Sequence, residues 1–60
     1  MPLVTIRVLE GRTVEQKREL SKRFTDALTE VTGCPAEAVT VIFSEHPRTD
    51  IAKAGKLMSD

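Results

Sequence analysis

The sequence predicts an α/β chain: a single β-α-β unit with parallel strands and a short C-terminal hairpin or arm, completed by oligomerisation. Three observations lead there. Two runs rich in β-branched residues, 3–9 and 39–44, flank a stretch with helical periodicity. The stretch between them is long enough to carry the chain back to where the first strand began. Sixty residues, treated as one domain spanning 1–60, bury too little surface to make a robust core alone.

The first run, Leu3-Val4-Thr5-Ile6-Arg7-Val8-Leu9, ends at Glu10-Gly11. One face carries Pro2, Val4, Ile6 and Val8, and the other carries Leu3, Thr5, Arg7 and Leu9. Both faces are mostly apolar, which predicts a strand covered on both sides in an assembly. Thr13-Val14-Glu15-Gln16 fits a capping box, with the Thr13 hydroxyl taking the Gln16 amide and the Gln16 side chain reaching back. Leu20, Phe24, Ala27, Leu28 and Val31 then recur at helical spacing, and Lys17, Arg18, Lys22, Arg23, Asp26 and Glu30 fill the remaining surface. Gly33 supplies a left-handed terminator, and Pro35 prevents the helix from resuming.

Val39-Thr40-Val41-Ile42-Phe43-Ser44 is the second strand. A helix of about 18 residues spans roughly 27 Å, and a strand of about seven residues roughly 23 Å. The two strands therefore run parallel through a right-handed crossover. The tail from Glu45 onward contains His46-Pro47 and Ala54-Gly55 with scattered Ile51, Leu57 and Met58, which predicts a turn and a hairpin or arm packed on a neighbouring subunit.

Composition narrows the functional classes. Nine basic and nine acidic residues cancel, so no overall basic field draws the chain to nucleic acid or anionic lipid. Two phenylalanines are too few for a base-stacking platform. No apolar run approaches the roughly 20 residues of a membrane span, and a cytoplasmic protein is expected. Cys34 alone closes no intrachain disulfide, and no Cys/His cluster has zinc spacing, so no structural metal is expected and oligomerisation is left to supply stability.

The chemistry must come from simpler parts than a nucleophile-histidine pair or a phosphate loop, since neither motif occurs. Pro2 is the unusual feature. Initiator methionine is commonly trimmed before proline, and trimming Met1 would expose a secondary amine. Placed in apolar surroundings beside a cation, that amine loses its charged form more readily and becomes a usable base. Taken alone, Pro2 reads more readily as the start of an edge strand, where a missing amide donor costs little, and it is the surrounding residues that favour the base. Arg12, in the turn before the helix, is suited to a bidentate grip on a carboxylate. Arg7 and Arg48 are weaker candidates, and His46 and Cys34 read as turn and loop residues.

Pro2, Leu9-Glu10-Gly11-Arg12-Thr13, Glu15-Gln16-Lys17 and Ala54-Gly55-Lys56-Leu57 together closely resemble the 4-oxalocrotonate tautomerase family across essentially the whole chain. The resemblance implies a β-α-β subunit that pairs into dimers and then into a homo-oligomer, a hexamer built as a trimer of dimers, with no cofactor. It implies Pro2 as proton shuttle and Arg12 as anchor for a small carboxylate substrate. The family prototype has a second arginine where this chain has Thr40, and an aromatic where it has Ile51. Thr40 and Ile51 are thus the expected substrate-binding positions that depart from the pattern. They shift the expected substrate from the prototype's diacid towards a monoacid such as an arylenolpyruvate. Two other readings stand beside this one: a haloacrylate hydratase or dehalogenase, and a non-catalytic or hetero-oligomeric β-α-β subunit.

Overall fold

A computed structural model describes residues 2–60. Its elements are β1 (Leu3–Leu9), α1 (Val14–Thr32), β2 (Thr40–His46), and a hairpin of β3 (Ala52–Lys53) and β4 (Lys56–Leu57). Short 3-10 turns occupy Ala36–Ala38 and Arg48–Asp50.

β1 and β2 pair in parallel, in unbroken register from Leu3 opposite Thr40 to Leu9 opposite His46. Two further bonds extend the ladder, from the Thr40 amide to the Pro2 carbonyl and from the Glu10 amide to the His46 carbonyl, each 3.0 Å. β2 begins one residue later than the 39–44 run. The Val39 amide donates instead to the Ala36 carbonyl at 3.1 Å, closing the 3-10 turn. The strand also runs two residues further than its apolar signal, because Glu45 and His46 stay in register with Val8 and Leu9 until Pro47.

The helix is framed as its sequence requires. Thr13 Oγ1 accepts from the Gln16 amide at 3.1 Å, and Gln16 Oε1 accepts from the Thr13 amide at 3.0 Å. At the other end Gly33 adopts φ 76° and returns its N–H to the Thr29 carbonyl at 3.0 Å. An L side chain in that left-handed conformation would be strained, which is why glycine stands there.

Alternation decides what the helix covers. Val4, Ile6 and Val8 of β1 and Val41 and Phe43 of β2 are half-buried under α1, and the Lys17–Glu45 ion pair ties the helix to the same sheet face. Leu20 and Leu28 are half-buried as expected, whereas Phe24 stays 38% and Val31 84% exposed. The five-residue apolar stripe is thus only partly covered within one chain. Among the described residues, the opposite sheet face, with Leu3, Thr5 and Arg7 of β1 and Thr40 and Ile42 of β2, carries nothing over it at its N-terminal end and is exposed.

Ala54 and Gly55 join β3 to β4 with positive φ at both positions, 54° and 78°, the twist that two-residue hairpins prefer. The Met58 amide reaches back to the Ile51 carbonyl at 2.9 Å and closes the hairpin's base.

The result is a thin, elongated subunit of 44 × 23 × 13 Å. Its radius of gyration is 14.7 Å, against about 10 Å for a compact chain of this length. Among the described residues none is fully buried. The accessible surface of 4717 Å² exceeds the roughly 3,900 Å² typical of a folded monomer of this mass. The excess is close to the roughly 800 Å² that one partner contributes to a standard interface.

Candidate active site

The four sequence-derived site residues fall into two pairs at opposite ends of the sheet. Pro2 is half-buried at the N-terminal end of β1, and its carbonyl accepts from the Thr40 amide. Thr40 opens β2 at that same end, with its side chain exposed on the uncovered face. Arg12 and Ile51 belong to the other end, beyond the C-termini of both strands. A strand of this length separates Pro2 from the turn holding Arg12 by roughly 23 Å.

At that second end a cavity of about 330 Å³ is lined by Arg7, Val8, Leu9, His46, Asp50 and Ile51. The 3-10 turn after Pro47 folds Asp50 and Ile51 over the ends of the strands, and this is what makes the concavity. Ser44 Oγ and His46 Nε2 share a hydrogen bond of 3.2 Å along the same sheet face. Leu9 and Ile51 give the cavity apolar wall, while Arg7, His46 and Asp50 give it polar groups.

Gly11 at φ 107° turns the chain out of β1 and presents Arg12 at the start of the helix. A second groove of about 430 Å³ begins at Arg12 and is lined further along the helix by Gln16, Glu19, Leu20 and Arg23. Arg12 has no hydrogen-bond or ion-pair partner among the described residues, so its guanidinium is unspent.

Sequence reasoning ranked Arg7 low, yet it lines the cavity that holds Ile51, whereas Arg48 lies exposed in its 3-10 turn. Leu9 and His46 were not singled out for the site. No sequence signal puts them there, since only the parallel register of the folded strands sets their last residues side by side. Arg23 and Gln16 were read only as helix surface and cap. Met1, whose removal would free the Pro2 nitrogen, lies outside the described residues. Among the described residues no group of three or more His, Cys, Asp or Glu side chains is placed to hold a metal. No helix among them is long and apolar enough to cross a membrane.

The profile of the family described as tautomerase enzyme matches residues 2–60. The chain is 47% identical over 60 residues to the 2-hydroxymuconate tautomerase of Bacillus subtilis, covering 100% of this chain and 97% of that one. A solved 4-oxalocrotonate tautomerase homologue superposes with a TM-score of 0.94 at 42% identity, covering 100% of this chain and 95% of the other. A heterohexamer 4-oxalocrotonate tautomerase from Chloroflexus aurantiacus gives a TM-score of 0.89 at 35% identity, covering 100% and 97%.

A parallel β-α-β unit matched end to end by these proteins is the subunit of an isomerase of the tautomerase class. The chain belongs to the 4-oxalocrotonate tautomerase family.

Proposed function

We propose that the enzyme catalyses keto-enol proton transfer on a small enol or 2-oxo acid, of 2-hydroxymuconate or arylenolpyruvate type, in a site shared between two copies of the chain. The observation that carries this reading is the separation of Pro2 from Arg12 along a strand whose outer edge is unpaired among the described residues. An unpaired edge is a template for another strand. If two β1 strands pair antiparallel about a two-fold axis, the start of each lies against the end of the other. Pro2 of one copy then sits beside Leu9, Arg12 and Ile51 of its partner, and the two halves of the site become one.

Within that site Arg12 grips the substrate carboxylate, in keeping with its unspent guanidinium. Leu9 and Ile51 remove water from around the Pro2 nitrogen. Desolvation and the nearby guanidinium both disfavour the protonated amine, so the nitrogen is held as free base. It takes the proton from the enol oxygen, the C=O double bond forms as the C=C pair moves to carbon, and the protonated nitrogen returns the proton to that carbon. Atoms and charge balance over the cycle, as an isomerisation requires. Thr40, at the Pro2 end, offers a hydroxyl rather than a charge to the developing oxyanion.

The same reading favours a homo-oligomer, a hexamer built as a trimer of such dimers, a size in keeping with the heterohexameric relative. A location in the cytoplasm accords with a chain that needs no disulfide.

The test is kinetic. Intact mass first verifies that Met1 is gone. Ketonisation of 2-hydroxymuconate and of phenylenolpyruvate is then followed by ultraviolet absorbance for the trimmed protein and its Pro2→Ala variant. A loss of roughly a hundredfold or more is expected when a positioned base is removed. Equal rates would refute the assignment.

A further inference from the structure

Arg7 is the one charged residue of β1, and it lines the cavity of about 330 Å³ that also holds Leu9 and Ile51. It has no hydrogen-bond or ion-pair partner among the described residues. The other polar groups of that cavity are already engaged. His46 Nε2 shares its hydrogen bond with Ser44 Oγ at 3.2 Å, and Asp50 Oδ1 accepts from Thr49 Oγ1 at 3.3 Å. The guanidinium of Arg7 is left as the uncommitted donor group against the cavity's apolar wall.

Alternation along β1 puts Arg7 on the same sheet face as Leu9, roughly 7 Å before it. The register with β2 sets Leu3 opposite Thr40 and Arg7 opposite Ser44, so Thr40 belongs to this face too. Pairing two β1 edges antiparallel needs a two-fold axis perpendicular to the sheet, and such an axis keeps each face on its own side. Arg7 of one copy and Thr40 of the other then stand on one face at the same end of the joined sheet, beside Pro2. Thr40 brings only a hydroxyl there. When the enol proton leaves for the Pro2 nitrogen, its oxygen carries a negative charge between apolar walls until the carbon is protonated. A cation already in place and without a counter-ion stabilises that charge with no reorganisation.

The geometry points to Arg7 as a further catalytic residue, the contact for the substrate oxygen that bears negative charge between the two proton transfers, supplied to the Pro2 of one copy by the strand of the other. This rests on the shared site of the tautomerase reading, in which Arg12 holds the carboxylate. The charged oxygen is common to every enol acid, so Arg7 serves monoacids and diacids alike.

The test is steady-state turnover of 2-hydroxymuconate and of phenylenolpyruvate by the assembled, Met1-trimmed protein. In Arg7→Gln, which keeps a polar side chain and removes the charge, kcat falls roughly a hundredfold for both substrates while KM changes little and light scattering shows the oligomer intact. Arg7→Lys keeps a charge without the planar fork and recovers part of the rate. A wild-type kcat in Arg7→Gln overturns the proposal, and so does a loss confined to KM. If Arg7→Gln disrupts the oligomer, Arg7→Lys decides in its place, and a wild-type kcat there overturns the proposal. Pro2→Ala separates the two readings. If it keeps the wild-type rate, the proton-shuttle assignment fails, while the kcat of Arg7→Gln still decides whether Arg7 meets the charged oxygen.

Discussion

The Thr40 amide donates to the Pro2 carbonyl at 3.0 Å, so the first residue of the second strand is pinned to the residue proposed as base. Whatever side chain stands at position 40 is therefore held at the Pro2 end of the sheet. Here it is a hydroxyl where a guanidinium would stabilise a developing negative oxygen far better. Replacing Thr40 with Arg is expected to raise kcat/KM for 2-hydroxymuconate by roughly tenfold or more. A steady-state assay showing no gain would place the oxyanion elsewhere.

Ile51 forms part of the apolar wall at the far end of the strands. On the proposed shared site it is expected to help keep the partner's Pro2 uncharged. Ile51→Ser admits water, which favours the protonated amine and raises its pKa. The free base is then lost at a higher pH, so the acidic limb of the kcat/KM profile moves upward. An unmoved limb in a pH-rate series would remove Ile51 from the site.

Thr13 closes the helix and also anchors Gln16. Thr13→Ala is expected to cost about 1 kcal/mol and to lower the thermal midpoint by several degrees, read by circular dichroism.

Gly33 tests backbone conformation without packing. A Cβ added there would meet no atom within 4 Å, but φ is 76°. Gly33→Ala should therefore destabilise by about 1 kcal/mol, with turnover of the surviving folded protein unaltered. A neutral effect in chemical denaturation would mean that the helix end relaxes freely.

Ile42 is 45% exposed on the uncovered sheet face. Its exposure accords with a second copy packing there. Ile42→Lys is expected to shift the sedimentation coefficient towards smaller species and to reduce activity in parallel. An intact oligomer carrying the lysine would show that this face looks into water.

Much of this architecture was legible from residue order. Thr13, Gln16 and Gly33 write the helix ends into the chain as local hydrogen-bond chemistry, which needs no tertiary context. β2 was legible only where its residues are apolar. Glu45 and His46 extend it because Val8 and Leu9 are waiting in register, a long-range fact that periodicity does not carry. For the same reason Arg23 passed as solvated helix surface. It lines a groove with Arg12, and that depends on where the turn at Gly11 sends the chain. The position of Pro2, by contrast, was apparent from the first two residues, although its distance from Arg12 within one chain was not.

On the proposed shared site, the outer edge of β1, unpaired among the described residues, makes catalysis a property of couples rather than of individuals. A Pro2→Ala chain and an Arg12→Ala chain would each be inert when pure. Exchanged into mixed pairs, the first lends its arginine and the second its proline, so one of the two pockets in every hybrid is whole. Blending two dead preparations should therefore yield a live one, with a recovery that tracks the speed at which subunits trade places.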